Sequence, residues 1–128
     1  MAKGFGQYIN KQQTPSRISQ LKRMLSGFDD QDTIMMNIIE VFRDLELIPE
    51  PGKYYTFIYN PKTPNIVYDE YPLVAVTDIE SWGFRGINFH WNKSRNYVWS
   101  GVIGQLHNVR NDEINYLRTL PYAKYRTK

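Results

Sequence analysis

The chain has 128 residues, an apolar fraction of 41%, an aromatic fraction of 15% and a net charge of +3. That length suits a single domain with a real core, and ten tyrosines let large flat side chains supply burial while offering hydroxyls. The absence of cysteine excludes a disulfide framework, a thiolate metal site and a thiol nucleophile. No apolar run reaches the length of a membrane span, and no apolar h-region follows the basic N-terminus. A soluble, unprocessed protein with no membrane partner is the expectation.

Charge is unevenly spread. Residues 1–28 carry Lys3, Lys11, Arg17, Lys22 and Arg23 and no acid, whereas residues 29–50 carry seven acids against Arg43. The remainder is again basic, with ten bases and six acids. Such an alternation serves contact within the chain, a charged protein neighbour, phosphates or a solvated surface.

Residues 1–13 hold two glycines and no sustained period, which defines an arm. Its Phe5, Tyr8 and Ile9 are apolar anchors expected to dock on the chain's own domain or on another subunit. Thr14 and Pro15 signal a helix start as N-cap and first helical residue. Ile18, Leu21, Leu25 and Phe28 follow at helical spacing, and Gly27 supplies a stop. Asp29-Asp30-Gln31-Asp32 opens a second helix with Ile34, Ile38, Val41, Phe42 and Leu45 on one face. Met35, Met36 and Ile39 widen that face, and Pro49 and Pro51-Gly52 end the helix. The two helices form an antiparallel hairpin.

Tyr54–Tyr59 reads as a strand without polar alternation, hence buried on both faces. Asn60–Asn65 is a loop, Ile66–Tyr68 resumes extended structure, and a strand follows Pro72 through Leu73–Thr77. Phe84–Trp91 is predicted as a strand in which Gly86 marks a bulge or a close approach. Arg95–Trp99 reads as strand or short helix, Val102–His107 is ambiguous, and Asn111 or Asp112 caps a last helix with Ile114, Leu117 and Leu120 inward. The resulting fold class is α+β: an N-terminal helical hairpin packed on a small SH3-like antiparallel β-barrel, with a short C-terminal helix. The organisation is an arm (1–13), one domain (14–121) and a basic aromatic tail (122–128), whose Tyr122, Tyr125 and Arg126 are candidate protein-interface anchors.

Catalytic signals are missing. His90 and His107 lack ligand spacing and a carboxylate cluster, so no metal and no cofactor is expected. His90 reads as a partly buried strand residue, with Asp69 or a backbone carbonyl as its partner. There is no Gly-x-Ser-x-Gly elbow. Asp69 and Glu70, being adjacent in an extended segment, point apart; Asp69 is read as a turn organiser. Nucleic-acid binding is the alternative, through bases and aromatics at Tyr55, Tyr59, Lys62, Arg85, Arg95, Tyr97, Trp99, Lys124, Arg126 and Lys128.

Tyr55-Thr-Phe57-Ile-Tyr59-Asn-Pro61-Lys62, Tyr68-Asp69-x-x-Pro72-Leu73 and Gly83-Phe84-x-Gly86-Ile87-Asn88-Phe89-His90-Trp91 together carry a resemblance. The stretch resembles small proteins of tailed bacteriophages, including those of T4-like phages of marine cyanobacteria. Longer members are sometimes labelled DNA end protectors. Where the family reads His-Tyr-Leu, this chain has His90-Trp91-Asn92. The resemblance implies a phage origin and a structural motif at Tyr68, Asp69, Pro72, Gly86, Asn88 and His90; it transfers no catalytic residue. The expected role is a non-enzymatic virion component, made in the host cytoplasm. It would sit among other virion proteins and copies of itself in a symmetric ring, with DNA binding or DNA-end protection as the alternative.

Overall fold

Helix starts and stops set the first quarter of the chain. The computed structural model describes residues 16–61 and 67–127. Helix α1 spans Arg17–Met24, with Ser16 as N-cap accepting the Ser19 amide. The expected cap at Thr14-Pro15 lies outside the described residues, and the helix opens later than that signal implies. It also closes earlier, because Leu25 turns extended. Gly27 is therefore not its stop, and Phe28 leaves the apolar stripe for solvent, 97% exposed.

Helix α2, Gln31–Val41, is capped by the Asp30 carboxylate on the Thr33 amide, as the acidic run implies. It buries Ile34, Met35 and Ile38, while Met36 faces out, so the apolar face is narrower than predicted. The helix ends well before Pro49. Arg43 Nε donates to the Glu40 carbonyl at 2.8 Å and satisfies the last turn. Leu45 consequently lies in a short strand, β1 (Leu45–Glu46), rather than on the helix.

The remaining elements are β2 (Tyr54–Tyr59), β3 (Val67–Asp69), β4 (Leu73–Ile79), β5 (Gly83–Asn88), β6 (Lys93–Val98), β7 (Val102–Val109), α3 (Ile114–Thr119) and β8 (Tyr125–Thr127). One-turn 3₁₀ helices at Trp99–Gly101 and Asn111–Glu113 precede β7 and α3. The fold is α+β, with an antiparallel six-stranded sheet ordered β1-β7-β2-β4-β5-β6 and a two-stranded ribbon β3-β8.

Strand β2 separates two cores, as its lack of alternation requires. Tyr55, Phe57 and Tyr59 join Val74, Val76, Phe84, Tyr97 and Leu106 in a cluster made entirely of strand residues. Its rings meet mainly edge to face, with Phe57 and Tyr59 at 5.4 and 5.0 Å from Tyr97. On the other face, Tyr54 and Ile58 pack with Leu21, Ile38, Leu73, Leu117 and Tyr122 beneath the helices. α3 turns Ile114 and Leu117 inward as predicted.

Two further boundaries differ from expectation. β5 stops at Asn88, whose Oδ1 accepts the amides of His90 (2.9 Å) and Trp91 (3.2 Å). His90 and Trp91 therefore sit in a turn, not a strand. Residues 122–127 are no loose tail: Tyr122 is fully buried and donates to Thr56 Oγ1 at 3.1 Å, and β8 pairs with β3.

At Gly86 the close approach is real. A Cβ there would press on Val74 and come within 2.7 Å of the Ala75 carbonyl oxygen, beside a register shift between Val76 and Asp78 in β4. Gly86→Ala should therefore cost on the order of 2 kcal/mol by forcing β4 and β5 apart, read from the urea midpoint at constant slope.

Candidate functional site

Two residues of the motif, Asp69 and Asn88, meet at one carboxylate. Asp69, at the end of β3, is 1% exposed. Tyr97 of β6 donates its hydroxyl to Asp69 Oδ2 at 2.7 Å, and Asn88 of β5 donates Nδ2 to the same oxygen. Asn88 Nδ2 also lies 3.3 Å from the Tyr97 hydroxyl, which closes a triangle. Asp69 is thus a strand-tying acceptor rather than a turn organiser. Burial pushes its carboxyl above the ordinary 3.8, against the pull of Tyr97, its own amide, the Arg95 charge and Asn88. Burial, reinforced by the Asp69 charge, lifts the Tyr97 hydroxyl well above 10.0 and keeps it a donor.

An aromatic and basic layer seals this triangle. Tyr125 is the register partner of Asp69 across the β3-β8 ribbon. Its ring stacks on Trp91, with centroids 4.3 Å apart and planes at 15°, and the Arg95 guanidinium lies 4.7 Å from its centroid. Arg126 ion-pairs with Glu70 at 2.8 Å and Asp32 at 3.4 Å, and Tyr71 donates to the same Asp32 at 2.6 Å. Pro72 is buried beside it, and Tyr68 is half-buried opposite Arg126. Tyr122, Tyr125 and Arg126, expected as outward anchors, are engaged within the chain, because the ribbon draws them onto the domain.

His90 takes the second of its two expected partners. Its Nε2–H donates to the Leu120 carbonyl at 3.0 Å, and its ring meets Tyr122 edge-on at 5.1 Å. Nδ1 is buried without a hydrogen-bond partner. Burial holds the imidazolium pKa below 6.5, partly offset by the Leu120 and Leu117 carbonyls. His107, bonded through Nδ1 to the Phe42 carbonyl, is held below 6.5 for the same reason.

The nucleic-acid candidates separate. Tyr55, Tyr59 and Tyr97 are at most 5% exposed and offer no face to a base. Trp99 covers Phe84 and donates Nε1 to the Ser81 carbonyl. Arg85 lies 3.6 Å from Asp78 and 4.0 Å from Glu80. Lys124 is exposed and Arg95 is half-buried on Tyr125. Lys62, Lys128, Phe5, Tyr8 and Ile9 lie outside the described residues. Among the described residues, no group of three His, Asp or Glu is placed to hold a metal ion, and no helix is long and apolar enough to cross a membrane.

Sequence reasoning missed an outward feature. Between α1 and α2, Asp29 accepts the Ser26 amide at 2.8 Å and the Ser26 hydroxyl at 3.0 Å, and Ser26 Oγ accepts the Phe28 amide at 3.2 Å. This bonded turn presents Phe28 to solvent. Ser-Gly-Phe-Asp is itself a turn signal. Beside it runs a groove of about 380 Å³ lined by Leu25, Ile34, Tyr116, Leu120 and Pro121, with Lys22 at its edge.

Asp69→Ala leaves Asn88 and Tyr97 without their buried acceptor and should lower stability by about 2–4 kcal/mol, measured by urea unfolding. Both histidines have folded-state pKa values below 6.5, so the unfolded chain binds more protons beneath that value. Stability should be full above pH 6.5 and fall as the pH drops below it; His90→Gln, which keeps a donor for Leu120, should flatten the slope. Compared with known proteins, the chain matches no protein-family model, no curated protein and no solved structure.

Proposed function

We propose that this protein is a non-enzymatic structural component of a tailed-phage virion, seated in the neck, tail or baseplate, acting through protein–protein contacts. Its partners are other virion proteins and further copies of itself in a symmetric ring. The phage setting rests on the resemblance carried by Tyr55–Trp91. The mode of action rests on one observation: Phe28, 97% exposed, is displayed by a hydrogen-bonded turn. A large aromatic held in solvent by its own backbone is pre-organised to enter a partner's pocket at little entropic cost. We also take the sheet as an SH3-like barrel. Supporting this are the strand order β7-β2-β4-β5-β6 and a core cluster whose buried residues all come from those strands.

DNA binding is the second reading. Trp91, 38% exposed and stacked on Tyr125, which Arg95 also contacts, with Lys93 exposed nearby, resembles a stacking platform.

Phe28→Asp should change folding stability by no more than about 0.5 kcal/mol while reducing incorporation into particles at least about tenfold. Quantitative mass spectrometry of purified particles reads this. Absence of the wild-type protein from particles overturns the structural role. One or two copies per particle, together with an affinity for DNA that falls steeply with salt, would favour the second reading.

A further inference from the structure

Phe28 and the groove beside it match in size and character, yet within one chain they do not meet. The groove, about 380 Å³, is lined by Leu25, Ile34, Tyr116, Leu120 and Pro121. Lys22 stands at its edge, with Nζ 5.0 Å from the centroid of the Tyr116 ring. A phenyl ring needs only about 150 Å³ of apolar space. Gly27 and Asp29, the residues on either side of Phe28, also line the groove, so Phe28 springs from its rim. The Phe28 ring nevertheless stays out, 97% exposed, because the Ser26–Asp29 bonds fix the turn with the ring in solvent.

We propose, on the reading of Phe28 as an anchor given above, that Phe28 of one copy seats in this groove of a second copy. The second copy's Phe28 seats in return, giving a two-fold pair. Adjacency selects the symmetry: a knob beside its own hole makes two equal contacts around one axis, whereas a knob and hole on opposite sides chain head to tail. Charge selects the occupant. Phe28 is followed by Asp29 and Asp30, while the last turn of α1 carries Lys22 and Arg23. Asp29 and Asp30 accept hydrogen bonds from their own turn and helix start. Among the described residues, none of these four side chains makes an ion pair. Seating Phe28 in a partner's groove carries its two acids toward that partner's Lys22 and Arg23, and the axis repeats the match. Each ring buries about 150–250 Å², so two rings and the walls they cover stay below the roughly 1,200 Å² of a stable interface. The pair is therefore weak in solution and gains strength where many copies are held side by side.

Sedimentation equilibrium of the full chain should show monomer at about 10 µM and a growing dimer fraction toward about 1 mM. Phe28→Asp should weaken that dimer at least about tenfold. Over the same range the methyl NMR signals of Leu25, Ile34 and Leu120 should move. They should also move in isotope-labelled Phe28→Asp, whose groove is intact, when unlabelled wild type is added. A monomer throughout overturns the pairing, as does a dimer that Phe28→Asp forms equally well or that leaves those methyls still. Phe28-dependent assemblies beyond the dimer overturn the two-fold axis. A monomer that still needs Phe28 to enter particles overturns the pairing and leaves the structural role standing. A Phe28-dependent dimer of a protein absent from particles supports the pairing and overturns the role.

Discussion

A carboxylate removed from water has to be repaid in hydrogen bonds, and around Asp69 that requirement organises the middle of the chain. Its acceptor oxygen draws a donor from β5 and another from β6, while its own strand pairs with β8. An unpaired buried charge is far costlier than a paired one, so the β3-β8 ribbon, the turn after Asn88 and the aromatic layer of Trp91 and Tyr125 must arrive together. Asn88 serves twice: its Nδ2 faces Asp69, and its Oδ1 ends β5. The geometry of the turn is thereby coupled to the charge.

An ion pair ties the helical layer. Arg17 grips Glu113 at 2.9 and 2.6 Å, Glu113 accepts the Arg110 amide, and Glu113 is only 3% exposed. Burial raises the Glu113 carboxyl, but the Arg17 and Arg110 contacts outweigh it and hold the carboxyl below 4.5. Helix α1 is therefore clamped by a bidentate contact to the 3₁₀ turn that leads into α3. Strand β2 lies between its helical layer and the aromatic cluster, which is why its six residues show no polar face.

Much of this was legible in the sequence, for identifiable reasons. Six residues without alternation can only be a strand covered on both sides, and Gly86 between bulky neighbours marked a close approach. Asp30 capped as acidic runs do. The failures lie where a side chain overrides periodicity. Leu45 continues the helical period of Val41 and Phe42, but Arg43 had already closed the helix on Glu40. Phe89, His90 and Trp91 look like strand, but the Asn88 side chain turns the backbone there. Tyr122, Tyr125 and Arg126 have the composition of an interface, and composition is the same whether the partner is another protein or the chain's own β2 and β3. The Asp69 site was found as residues but not as a site, because its donors stand 19 and 28 positions away.

The pairing of β8 with β3 also constrains the order in which the protein can be completed. Synthesis runs from the N-terminus, so Asp69, Asn88 and Tyr97 all emerge before the strand that seals them. Until Tyr125 clears the ribosome, the ribbon lacks one of its two strands, and Trp91 and Arg95 lack the ring they pack against. Glu113 likewise reaches Arg17 only when most of the chain is made. Such long-range closures make folding slow relative to helix formation. Until β8 has emerged, the nascent chain must keep Trp91 and the unpaired edge of β3 from other chains.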